Sequence, residues 1–314
     1  MPFFFFVSGI FFSYNKRFIR YSIDKFDVLV KPFVSITLIY LTLKLVVAGS
    51  IPTLYRVRGM FYGTGDSIGS PWTPMWFLPH LWVVFVFSCA TLKIVNYDKQ
   101  KLFLKCIFLS MLMFLGSNFI AVFWNLDVNF LGFRATLPGL PFSLDLVLLT
   151  SFYFILGYTT RRFVVVFKPN QYLFFLGCLF IYVSAYHLGA GISLNRRIIN
   201  NPIFSIPSSL IGIYCALTIS EFISKLAYMD KVFLVMGRYS LFILIFHVVI
   251  YQIIVQKIFG MHMSNLEVII SLLSCIIFSI LIGIAISRNA FLSLFFNPLR
   301  TNNLFQRTSK LAAE

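Results

Sequence analysis

Residues 266–287 read LEVIISLLSCIIFSILIGIAIS, a run of 22 residues whose only charge is Glu267. A membrane-crossing helix needs about 20 mostly apolar residues, so this run qualifies as one. Seven further segments upstream have the same character: 28–49, 75–95, 102–124, 143–160, 172–190, 203–220 and 232–256. A ninth apolar segment, Pro2–Tyr14, spans 13 residues. That is about 20 Å of helix, against a hydrocarbon core about 30 Å thick. The pattern predicts an all-α, polytopic transmembrane helical bundle of about nine helices.

Composition agrees. Of 314 residues, 59% are hydrophobic, 11% are charged and 39 are Phe, and the mean hydropathy is +0.89. A soluble domain carries about 25% charged residues. The chain therefore lacks the polar surface of a soluble enzyme, and it is neither a disordered chain nor a disulfide-stapled secreted module. Its net charge of +16 is what basic cytoplasmic loops give a membrane protein, so no nucleic-acid partner is inferred. The five cysteines lie mostly inside apolar runs, without metal-ligand spacing, and read as small apolar residues. No metal is expected.

The loops alternate in charge. One set, including Lys16, Arg17, Arg20, Lys99, Arg161, Arg238 and Arg307, holds 18 basic residues, and the other, including Arg58, Arg134 and Arg197, holds 6. By the positive-inside rule the richer set and the C-terminus are cytoplasmic, and Pro2 begins on the outer side. The longest loop, 50–74, lies outside. Its Gly63, Gly65 and Gly69 read as turns, since they lack a Walker lysine and follow no strand. Residues 1–287 thus form the transmembrane domain and 288–314 a basic cytoplasmic tail that suits the membrane interface.

Few ionisable groups lie within the spans. His247, nine residues beyond Arg238, is expected about 13 Å into its helix and near mid-membrane. A polar group there is either functional or a neutral imidazole bonded to a neighbouring helix. His80 and His187 sit nearer the outer ends of their helices, within reach of a polar acceptor, and His262 lies in an outer loop. Arg17 and Arg20 share a face if their stretch is helical. Guanidinium forks suit phosphate, so the pair either holds a nucleotide or coenzyme A phosphate or anchors the first helix at the membrane.

Five strings, in one order along residues 2–247, resemble the acyltransferase family 3 membrane proteins. They are Pro2-Phe3-Phe4-Phe5-Phe6-Val7-Ser8-Gly9, matching P-x-F-F-F-x-S-G; the R-x-x-R of Arg17 to Arg20, followed by Lys31-Pro32; and Trp76-Phe77-Leu78. Leu137-Pro138 through Asp145 and then Phe152 to Tyr158 look like the fucose 4-O-acetylase branch. Gly237 to His247 resembles G-x-x-S-L-x-I-Y-L-x-H, with Leu244 where Tyr is usual. The resemblance implies a ten-helix O-acyltransferase of the bacterial inner membrane. Such an enzyme moves an acyl group, usually acetyl, from cytoplasmic acyl-coenzyme A to a sugar hydroxyl of a surface polysaccharide such as O-antigen, or of its lipid-linked precursor.

It further implies that Arg17 and Arg20 bind the donor and that His247 supports the catalytic chamber, while His80, His187 and Trp76 are expected to meet the acceptor. The family's catalytic His, and an Arg before it, lie on a helix upstream of the string that opens this sequence. A helix ahead of Met1 carrying them is the expectation, and without it the 314-residue form would be impaired. A His is needed because a sugar hydroxyl is a poor nucleophile near neutral pH. It would serve as general base or accept the acyl group itself. The competing class is a polysaccharide-repeat polymerase or transporter, which shares the high Phe content and many spans.

Overall fold

The structure, a computed structural model, describes residues 1–14, 17–47, 54–130, 133–252 and 264–298. Among them the fold is all-α. The helices are α1 (Pro2–Ile10), α2 (Phe18–Val47), α3 (Leu54–Tyr62), α4 (Gly65–Ile68), α5 (Phe77–Ile94), α6 (Leu102–Phe119), α7 (Val147–Val165), α8 (Gln171–Tyr186), α9 (Pro202–Ser224), α10 (Met229–Arg238), α11 (Ser240–Ile250), α12 (Asn265–Arg288) and α13 (Ala290–Phe296). Six are long and apolar enough to cross a membrane, and a seventh span results if α10 and α11 count as one. The sixteen-residue α8 and the nine-residue α1 complete the nine apolar segments. His262 and residues 299–314 of the basic tail lie outside the described residues.

Five segments differ from the sequence reading. The helix expected over 28–49 starts at Phe18 and carries Pro32 in its interior. Hydropathy misses its charged first turns, but a helix needs only its backbone ladder, and Asp27 and Lys31 pair at 2.7 Å one turn apart. α6 stops at Phe119 and is followed by an antiparallel hairpin, β1 (Trp124–Phe130) with β2 (Phe133–Pro138). A second hairpin, β3 (Gly191–Ser193) with β4 (Ile198–Asn200), follows α8. The loop 50–74 contains α3 and α4. Gly63 and Gly69, at φ +74° and +71°, form turns at the helix ends, as glycine there permits.

The fifth difference bears on His247. The segment 232–256 bends by 80° between α10 and α11. The count of nine residues from Arg238 along one straight axis therefore does not give the depth of His247, which is the eighth residue of α11.

The chain forms two compact units, Met1–Tyr21 with Val83–Lys231, and Ser22–Trp82 with Val232–Glu314. In the first, α1 packs on α7 with backbones touching. A Cβ on Gly9 would lie 1.8 Å from the Phe154 carbonyl oxygen, and one on Gly157 would lie 2.0 Å from that of Phe6. Small residues of this kind let membrane helices approach closely. α6 also packs on α7, through Gly116 against Leu149. Its Phe103, Ile107, Met111 and Phe114 face outward, as lipid-facing residues do.

In the second unit α11 packs on α12, where Gly283 admits the Phe242 ring. α11 also packs on a 3₁₀ turn, Thr73–Trp76, that leads into α5. Lys31 and Ser35 of α2 donate to the Asn297 and Phe295 carbonyls (2.6 and 3.0 Å), which ties down α13.

Replacing Gly157 with Val should force α1 off α7 and cost at least about 1–3 kcal/mol. Thermal denaturation in detergent should show a lowered midpoint. Gly212→Ala, on α9 with nothing within 4 Å of the added carbon, should leave it nearly unchanged.

Candidate functional site

At one end of the first unit, the chain leaving α1 is held by aromatic packing. The buried Phe12 ring has Phe154 at 5.0 Å, Tyr158 at 5.5 Å and Tyr21 at 5.7 Å, all edge-on. Tyr14 donates to Asp98 Oδ2 at 2.5 Å, and Tyr158 donates to the same carboxylate at 2.8 and 3.0 Å. Arg161 Nη1 donates to the Phe12 carbonyl at 3.4 Å, and its guanidinium sits 4.6 Å over the Tyr158 ring.

Arg17 comes three residues after Tyr14 in the sequence. The Tyr21 amide donates to the Arg17 carbonyl at 2.9 Å, so residues 17–21 form a helical turn. Arg17 and Arg20 therefore share a face at the N-terminus of α2, and both are exposed. Amides and dipole at a helix N-terminus reinforce their attraction for anions.

The opposite end of the unit holds a polar cluster that the sequence reading missed. Arg197 Nε meets Asp145 Oδ2 at 2.8 Å, with both side chains at 0% exposure. Its other nitrogens donate to Ser143 Oγ at 2.9 Å and the Asn195 carbonyl at 2.8 Å, while Trp124 covers its face at 4.9 Å. Gly139, at φ +85°, leaves the room that Arg197 occupies, since a Cβ there would lie 2.8 Å from Nη2. Phe142 and Ser143 both take left-handed conformations (φ 54° and 55°), a strain held in place by these bonds. Beside this end, a cavity of about 300 Å³ lies between the start of α1, β3 and the serines of α9.

In the second unit Trp76 and His80 are brought together. Their ring centroids lie 5.5 Å apart, and both are buried. α11, which carries His247, packs on the turn that ends with Trp76. His247 Nδ1 lies 2.7 Å from the Ile243 carbonyl oxygen. A carbonyl only accepts, so in the neutral ring Nδ1 carries the proton and Nε2 has the free lone pair. His187 belongs to the first unit. It caps α8, exposed, with its ring against Tyr186 and Tyr182. Among the described residues no group of three or more His, Cys, Asp or Glu could hold a metal ion.

The model of the acyltransferase domain family matches residues 1–288, nearly the whole described chain. The chain belongs to this acyltransferase family. No curated protein and no solved structure matches it. As an acyltransferase of many apolar helices, it is a multi-pass membrane protein.

The signal for the missed residues is rarity. Only ten acidic residues occur in 314, so Asp98 in a basic loop and Asp145 beside an apolar run stand out. Arg197, the partner of Asp145, and Arg161, which lies over Tyr158, read in the sequence only as topology markers. Arg197→Met should cost about 3–5 kcal/mol, because it leaves Asp145 buried without a counter-charge. The pair Asp145→Leu with Arg197→Met should cost less than the single change, as measured by thermal stability in detergent.

Proposed function

We propose that this acyltransferase is an O-acyltransferase of the bacterial inner membrane. It transfers an acyl group, foremost acetyl, from cytoplasmic acyl-coenzyme A to a hydroxyl of a cell-surface polysaccharide such as O-antigen, or of its lipid-linked precursor. The sugar oxygen attacks the thioester carbonyl, a base takes its proton, and the coenzyme A thiolate leaves and is protonated. Family membership over residues 1–288 supports acyl transfer. The observation that carries the donor assignment is the exposed Arg17–Arg20 face on the first turn of α2. Two guanidinium forks beside a helix N-terminus suit the phosphates of coenzyme A.

In this reading the basic end of the first unit is cytoplasmic, and the C-terminus lies on the same side. Trp76 and His80 line the acceptor side, and His187 meets acceptor at a loop. His247 supports the chamber through Nε2 without being its principal base.

A deletion strain complemented with variants tests this, read as acetate released from its polysaccharide by mild alkali. Arg17→Ala or Arg20→Ala should reduce acyl-coenzyme A use about ten- to hundredfold with normal membrane insertion, since each loses a charge-assisted contact. Lys should rescue poorly. Unchanged donor use in both would return the pair to a membrane anchor. Altered polysaccharide chain length with normal acetate would favour a polymerase or transporter instead.

His247→Gln keeps size and some hydrogen bonding and should leave partial acetylation. Complete loss at normal expression would make His247 the principal base.

A further inference from the structure

Resting on the donor reading above, we propose that Arg161 is a third phosphate-binding cation of the same site. Coenzyme A carries a diphosphate and a separate 3′-phosphate, more anionic groups than two guanidinium forks can each engage in bidentate fashion. Arg161 is half-buried at the C-terminal end of α7, and among the described residues it uses one of its five N–H donors, on the Phe12 carbonyl. Its flat face rests on Tyr158, which fixes the plane of the fork while leaving edges open.

The connection to Arg17 and Arg20 runs through Phe12. The Phe12 ring touches Tyr158, beneath Arg161, on one side, and Tyr21, which closes the Arg17 turn, on another. All these residues belong to the first unit. Asp98 holds Tyr14 and Tyr158 together and is a positioning residue, since it fixes both the segment bearing Arg17 and the ring bearing Arg161. An Arg that served only to neutralise Asp98 would be bonded to it, yet both phenols take that role and the guanidinium points elsewhere. The shared chemistry is a phosphate ester, which either coenzyme A or an anionic lipid headgroup could supply.

The test uses the full chain in nanodiscs of zwitterionic lipid, with binding measured by calorimetry. The probes are acetyl-coenzyme A and S-acetyl-pantetheine, which has no phosphate. Arg161→Gln should weaken acetyl-coenzyme A about tenfold and leave S-acetyl-pantetheine unchanged, with Arg161→Lys intermediate because it keeps charge without the fork. Equal binding of acetyl-coenzyme A by Arg161→Gln and the unaltered protein overturns the proposal. So does equal weakening of both probes, which would mark a merely structural role.

Failure of the donor reading looks different, because the unaltered protein would then bind acetyl-coenzyme A no more tightly than S-acetyl-pantetheine. Nanodiscs containing phosphatidylglycerol separate the lipid source. Acetyl-coenzyme A affinity should hold within about twofold. If the anionic lipid displaces it from the unaltered protein but not from Arg161→Gln, the cation belongs to a lipid headgroup and the proposal falls.

Discussion

The first unit depends on the backbone-to-backbone contact of α1 with α7. A helix of nine residues has few side chains with which to hold its place, and nothing in a lipid environment drives it against a neighbour as water would. Gly9 and Gly157 solve this by removing the side chains between the two ladders, so that each glycine lies against the other helix's carbonyl. Contact this close fixes the helix's axial position as well as its orientation, because a slip of one turn would set a side chain against a carbonyl.

That register decides where the chain goes next. Leaving α1 at a fixed point, it seats Phe12 among Phe154, Tyr158 and Tyr21 and delivers Tyr14 to Asp98. The basic turn of Arg17 and Arg20 is therefore set at the start of α2 by packing that begins inside the apolar part of the unit. The far end is locked independently by Asp145 and Arg197, whose buried pair ties the turn before α7 to the loop before α9. One charged pair fully removed from water and one carboxylate shared by two phenols thus bracket α7 at its two ends.

Much of this was legible in the sequence. Among the described residues the nine apolar segments are present as helices, because hydropathy over 20 residues reports directly on what lipid tolerates. The resemblance of strings such as Pro2 to Gly9 and Gly237 to His247 agrees with the family match. Helix boundaries were less legible. α2 begins ten residues before its apolar stretch because a helical backbone continues through Asp24 and Lys25 as readily as through Val. The bend at Tyr239 carries no Pro to announce it.

Composition and pattern alone determined that this is a membrane protein, how many apolar segments it has and which loops are basic. These properties belong to each segment by itself and need no knowledge of its neighbours. Only the tertiary structure decided that Asp98 accepts from Tyr14 and Tyr158, that Arg161 caps Phe12, and that Arg197 pairs with Asp145. The partners lie 84, 60, 149 and 52 residues apart. Such pairings arise from where close-packed helices place their ends, and no local pattern encodes a distance across the fold. A lone acid in a basic loop can be noticed in a sequence, but its partner is chosen by packing.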